Sequence, residues 1–153
     1  MEKSVIEDLI DRYLNVSIQV HKKAGTLIKV QIGNEMTTDQ YFILRYIFLG
    51  GKSTSSELAD AFDVNKSAIT AIINRMEDRR LIDRTRDLTD RRVVYLSLTE
   101  EGKELYQKAQ DKVGELVASI ITQFDETEIT SFINTYEKLE KILDNRKREE
   151  WRD

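Results

Sequence analysis

The sequence predicts a mainly α chain with a small β-wing, and three observations carry that prediction. Long stretches toward both ends space their apolar residues three and four apart, the period of one face of a helix. The chain has no Pro and only six Gly, the residues that helix interiors tolerate least. Between the ends, residues 54–98 read as a short helix, a tight turn, a longer helix, and two strands joined by a charged loop. That succession is a winged helix-turn-helix with helices on either side.

Each element has its own local signal. Ile6, Leu9, Ile10, Tyr13, Val16, Val20, Ala24, Leu27 and Ile28 form one stripe, so a first helix is expected over about 6–28. Gly33-Asn34 breaks it. Thr37 is placed to cap the next helix, with Gln40 closing a capping box and Met36 stapling onto Tyr41. The helix 38–49 is apolar on most sides and is expected to be central. Gly50-Gly51 ends it. Thr54 and Glu57 form a second capping box, opening a short helix with Leu58, Ala59 and Phe62. Asp63-Val64-Asn65 makes the turn, and Asn65 caps a helix running from Lys66 to about Arg79. Its inner face is Ile69, Ile72, Ile73 and Met76.

Strands are expected at 82–86 and 93–98, where Val94, Leu96 and Leu98 share one face. Thr99-Glu100-Glu101 then starts a helix with two acids in its positive first turn. Its stripe is Leu105, Ala109, Val113, Leu116, Val117, Ile120, Ile121 and Phe124. Asp125 and Glu128 make a further capping box before a last helix with Ile129, Phe132, Ile133, Tyr136, Leu139 and Leu143. From Asn145 on the chain is polar and is expected to fray.

Composition excludes several function classes. With no Cys there is no disulfide, thiolate metal site or thiol switch. A single His, His21, disfavours a zinc site built on imidazoles. No apolar run approaches the ~18 residues of a membrane span, and the acidic, amphipathic start is no secretory signal. A cytoplasmic protein is the default. No nucleophile–base pair, Gly-rich phosphate loop or metal spacing is found, so neither an enzyme nor a cofactor is expected.

Net charge is −4, but its distribution is uneven. Residues 64–92 carry eight basic residues against five acidic, a balance of +3, while residues 101–153 carry nine against thirteen, a balance of −4. Local potential is what a polyanion meets. The outer face of the helix after the turn is Lys66, Ser67, Thr70, Ala71, Asn74 and Arg75, with no acid before Glu77. A purely solvated face usually mixes Glu with Lys. One lying among phosphates does not. Ser67, Thr70, Ala71 and Asn74 suit base edges, Asn74 by pairing both ends of its amide with adenine. Lys66 and Arg75 suit phosphate. Arg91 and Arg92, after Asp90 at the hairpin tip, suit groove insertion. Arg84 and Arg86 are weaker candidates, for phosphate or for pairing with Asp83 or Asp87.

At this point the chain resembles a known family. An MTTDQ helix start and a Glu57-Leu58-Ala59 helix lead into the recognition helix. Asp90-Arg91-Arg92 then runs into Leu96-Ser97-Leu98-Thr99-Glu100-Glu101-Gly102. Over nearly its whole length this resembles the MarR-type winged-helix transcriptional regulators. The resemblance implies a homodimer on a two-fold symmetric double-stranded DNA operator, with N- and C-terminal dimerisation helices (1–35 and 101–153) flanking the DNA-binding region (36–100). It also implies that Arg92 enters the minor groove, that Asp90 orients it, and that a repressor is released by a small-molecule effector. Tyr13, His21, Tyr41 and Tyr46 are candidates for the effector pocket, although aromatics at helical spacing are more often packing.

There are departures. The family often has Gly just after the recognition helix, where this chain has Arg80, so a different helix exit is expected. Cys-based oxidant sensing has no residue to work with, and zinc ligands are poorly supplied. The terminal stripes are too wide for a ~60-residue winged lobe to cover, and a second copy would cover them. The competing reading is a winged-helix module that binds an acidic protein without sequence-specific DNA binding.

Overall fold

The chain's structure, a computed structural model, describes residues 1–150. Six helices and two strands follow in order: α1 (Lys3–Ile32), α2 (Thr38–Gly50), α3 (Ser55–Ala61), α4 (Lys66–Asp78), β1 (Ile82–Arg86), β2 (Val94–Leu98), α5 (Glu100–Ile121) and α6 (Glu126–Glu150). They group into two compact units, residues 1–113 and the remainder from Gly114 on.

The first unit holds the core. α2 contributes Tyr41, Ile43, Leu44 and Ile47, and α4 contributes Ile69, Ile73 and Met76. Ile82, Leu96, Tyr106, Ala109 and Val113 complete it from the wing and the start of α5. Each fully buried Ile or Leu contributes roughly 1.5–3 kcal/mol. The capping boxes expected at Thr37 and Thr54 are formed. Thr37 Oγ1 accepts from Gln40 N while Gln40 Oε1 accepts from Thr37 N, both at 3.1 Å. Thr54 and Glu57 repeat the arrangement at 3.1 Å in each direction.

The wing is an antiparallel pair with Ile82 opposite Leu98 and Arg86 opposite Val94. Val93, expected inside the second strand, instead closes the loop, donating to the Asp90 carbonyl at 3.0 Å. Ser53 adds an isolated antiparallel bridge to β2. Its N–H and C=O exchange bonds with Leu96 at 3.0 and 2.7 Å, and it is buried.

Both helix exits around α4 share one geometry. After α3, Asp63 sits at φ 52°, and after α4, Arg80 sits at φ 57°. Leu81 N bonds the Met76 carbonyl and Arg80 N the Glu77 carbonyl, a complete Schellman motif. Val64 and Asp63 make the equivalent bonds to Ala59 and Asp60. The different exit expected from Arg80 is therefore corrected. The chain takes the left-handed turn that Gly would favour, with a side chain in it, because buried Met76 and Leu81 hold the turn from either side.

Gly102 explains its place in the Thr99-Glu100-Glu101-Gly102 run. A Cβ there would drive into the Leu81 backbone carbonyl. Thr99 locks the same junction: its hydroxyl donates to the Arg80 carbonyl at 2.6 Å and accepts from Gly102 N at 2.9 Å, and Thr99 N donates to the Leu81 carbonyl at 3.1 Å.

The end helices are longer than expected and far more exposed. α1 continues to Ile32 and stops at Gly33, whose φ is 68°. Of its residues only Ile32 is buried, while Ile6, Leu9, Ile10 and Tyr13 stay 41–51% exposed. In the second unit, α6 buries nothing and is helical to Glu150, through the polar stretch from Asn145. Phe124 lies beyond the end of α5, in the turn before Asp125, whose carboxylate accepts from Glu128 N at 2.9 Å. Trp151, Arg152 and Asp153, the end of the polar tail, lie outside the described residues.

Candidate nucleic-acid interface

α4 is held from within and left open outside. Asn65 Oδ1 accepts from Ala68 N at 2.8 Å, capping the helix start. Ile69, Ile73 and Met76 pin one face to the core, at 1% exposure or less. Lys66, Ser67, Thr70, Ala71, Asn74 and Arg75 are all exposed on the other. Thr70 donates its hydroxyl proton back to the Lys66 carbonyl at 2.7 Å, so it presents its methyl and its lone pairs outward. Arg79, at the helix end, reaches the Glu35 carbonyl and Gln40 Oε1, tying α4 to the loop before α2. The Glu35 carboxylate faces Lys108 of α5 at 3.4 Å.

Arg84 and Arg86 do not pair with Asp83 or Asp87 in the way expected of them. Arg84 Nε donates to Glu77 Oε2 at 2.6 Å and Nη2 donates to Asn74 Oδ1 at 2.8 Å. Both acceptors lie on α4, because β1 leaves the helix through a turn of only three residues and doubles back beside it. Arg86 Nη1 donates to the Arg91 carbonyl at 3.0 Å, bracing the loop across its neck.

The wing loop is built by two carboxylates. Asp87 Oδ1 accepts from Thr89 N, Thr89 Oγ1 and Asp90 N at 2.7–3.0 Å. Those bonds, the Thr89 hydroxyl first, pull the Asp87 carboxyl down to about 2. The charge of Asp87 in turn raises the Tyr95 hydroxyl. Asp90 takes the Arg92 guanidinium as a fork, Nε to Oδ1 and Nη2 to Oδ2, both at 3.1 Å, and accepts from Arg92 N at 3.1 Å. Arg92 thereby also holds the Asp90 carboxyl below its usual range. The fork leaves the Arg92 side chain 91% exposed yet oriented. Arg91 is exposed beside it, and Leu88 at the tip is 99% exposed. Lys52, in the loop between α2 and α3, lies over the ring of Tyr95 on β2 at 4.1 Å, a contact that sequence reasoning missed. No local pattern links residues so far apart in the chain.

The four aromatic and imidazole candidates for an effector pocket have unlike environments. Tyr41 is a core residue at 2% exposure, donating to Gln110 Oε1 at 2.6 Å. Burial raises its pKa, and the neighbouring Tyr106 adds to the effect. Tyr46 packs edge-on to Phe62 at 5.9 Å. Tyr13 and His21 are exposed on α1. Among the described residues no cluster of His, Cys, Asp or Glu is placed to hold a metal ion, and no helix is long and apolar enough to cross a membrane.

Comparison with known proteins gives the same architecture. The family model described as transcriptional regulator SarA/Rot matches residues 27–109. The transcriptional repressor MdtR of Bacillus subtilis is 33% identical over 100 residues, covering 65% of this chain and 64% of that protein. A MepR-like protein solved with pseudoligands is 32% identical, covers 88% of this chain and 95% of its own, and superposes with a TM-score of 0.63. A mutant MarR of Escherichia coli complexed with operator DNA shares the fold at 20% identity and a TM-score of 0.75, covering 86% and 96%.

Proposed function

This chain belongs to the winged-helix transcriptional regulators of the SarA/Rot and MarR type, and from that premise we propose that it is a repressor that binds a pseudo-palindromic operator as a homodimer and is released by a small-molecule effector. The family is one of transcriptional regulators. The observation that carries the reading is the outer face of α4. It has six exposed residues with no carboxylate before Glu77, on a helix capped at its start and pinned to the core behind.

Laid in a major groove, that face offers Ser67, Thr70, Ala71 and Asn74 to base edges, with Lys66 and Arg75 at the phosphates. Arg92, held out by Asp90, suits a narrow A·T-rich minor groove, where negative potential is enhanced. Arg91 adds charge beside it. The DNA-binding region is 36–100, and the segments 1–35 and 101–153 serve dimerisation. Support for the dimer comes from the apolar surface that α1 and α6 leave exposed. A two-fold axis is the simplest way to cover it, and two α4 helices would then meet grooves ~34 Å apart. MarR of E. coli, which shares this fold, is complexed with operator DNA, and MdtR is named a repressor.

Release requires a ligand that binds one spacing of the two α4 helices better than the other. Tyr13, His21 and Tyr46 remain candidates to line its pocket, whereas Tyr41 acts through the core.

The test is enrichment of duplexes from random DNA. A two-fold site with half-sites one helical turn apart is expected, with affinity falling at roughly −0.9 per phosphate neutralised in a log–log salt plot. Arg92→Ala is expected to weaken binding on the order of tenfold while the dimer persists. Enrichment of no sequence, with dimers intact, would favour the competing module that binds an acidic protein.

A further inference from the structure

We propose that Arg84 sets the base preference of α4 by fixing which end of the Asn74 amide faces DNA. The proposal rests on α4 entering the major groove. Asn74 and Glu77 lie three residues apart on α4, hence one turn along the same face. Arg84 of β1 reaches both, at 2.8 Å to Asn74 Oδ1 and 2.6 Å to Glu77 Oε2.

A guanidinium carries five N–H donors and no acceptor. The amide beside it must therefore turn its oxygen toward Arg84 and its NH2 away. Glu77 anchors the guanidinium against swinging out. The side chains of that ion pair are only 38% and 43% exposed, so salt screens it in part.

Asn reads adenine with both ends of the amide, donating to N7 and accepting from N6. With Oδ1 turned to Arg84 and occupied on one lone pair, Asn74 presents its N–H donors foremost to DNA. The base edge with two adjacent acceptors is guanine, at N7 and O6. The helix accordingly favours guanine over adenine at the base pair that Asn74 faces. Arg84 is a positioning residue there, not a phosphate ligand, and the adenine pairing expected from the amide alone is replaced.

The experiment takes the enriched operator and exchanges G·C for A·T at each position, measuring affinity for the full-length protein. One position per half-site is expected to favour guanine on the order of tenfold, and Asn74→Ala should abolish that preference. Arg84→Met should shift the ratio about tenfold toward adenine. Glu77→Gln leaves Arg84 in place but loosens its anchor. It should shift the ratio the same way, and carries the test should Arg84→Met fail to fold. A ratio unchanged in both variants, or a guanine preference that survives Asn74→Ala, overturns the proposal and leaves DNA binding standing. If the unaltered protein enriches no duplex at all, the regulator reading falls first and this falls with it.

Discussion

The winged lobe and the terminal helices treat their apolar residues in opposite ways. In the lobe, Leu44, Ile47, Leu58, Met76 and Leu96 are fully buried, and polar groups at the junctions find partners within the lobe. On α1, Ile10, Leu14 and Ile18 are each 50% exposed, and on α6 Phe132 and Tyr136 are 56% and 59% exposed. Monomeric proteins rarely leave contiguous apolar faces of that kind. The lobe is complete as one chain. In the proposed dimer, a second copy supplies the other side of the terminal helices.

Substitutions can break that contrast. The largest expected effect is in the lobe, from Gly102→Ala, because the new methyl meets the Leu81 backbone rather than a side chain that can move. We expect a loss of about 3 kcal/mol in thermal or denaturant unfolding. A loss under about 1 kcal/mol would mean that the α5 junction is looser than the structure has it. Next is Ile10→Glu, which places a charge on the exposed stripe of α1. Self-association should weaken roughly thirtyfold in sedimentation equilibrium, about 2 kcal/mol, while α4 and the wing keep their structure. An unaltered association constant would remove α1 from the interface.

Smaller changes sharpen the contrast instead. Arg80→Gly relieves a left-handed backbone position and should stabilise the lobe by about 1 kcal/mol without changing self-association. The smallest effect is confined to the wing tip. Asp87 titrates at about 2 in the fold, below the ~3.9 of an unfolded Asp. Its ionised form is thus the one the loop favours. That contribution is fully present above pH ~4 and is lost as the pH falls through about 2. The amide resonance of Thr89, which donates to Asp87 Oδ1, should shift over that window and shift much less in Asp87→Asn.

Local signals were legible wherever the bond spans a few residues. The caps at Thr37, Thr54 and Asn65 all close within three residues, and their partners can be read from adjacent letters. So can the inner face of α4, which follows from period alone. The packing roles of Tyr106, Gly102 and Ser53 are not legible locally because their partners lie across the chain. Tyr106 donates to Gln110 and its ring lies 6.0 Å from that of Tyr41. Gly102 is set by Leu81, and Ser53 by Leu96. The pairing of Arg84 was misjudged for the same reason. Asp83 and Asp87 are near in sequence, but β1 carries the guanidinium to α4.

Periodicity, caps and the placing of charge determined by themselves the order of elements, the inner and outer faces of α4, and the winged form. Each depends on contacts within a turn or two of chain, where geometry follows from residue type. Tertiary structure alone decided that Arg84 holds Asn74 and Glu77, that Arg80 takes a left-handed turn, and that Gly102 admits no side chain. Those outcomes depend on how closely two distant backbones approach, and packing sets that distance.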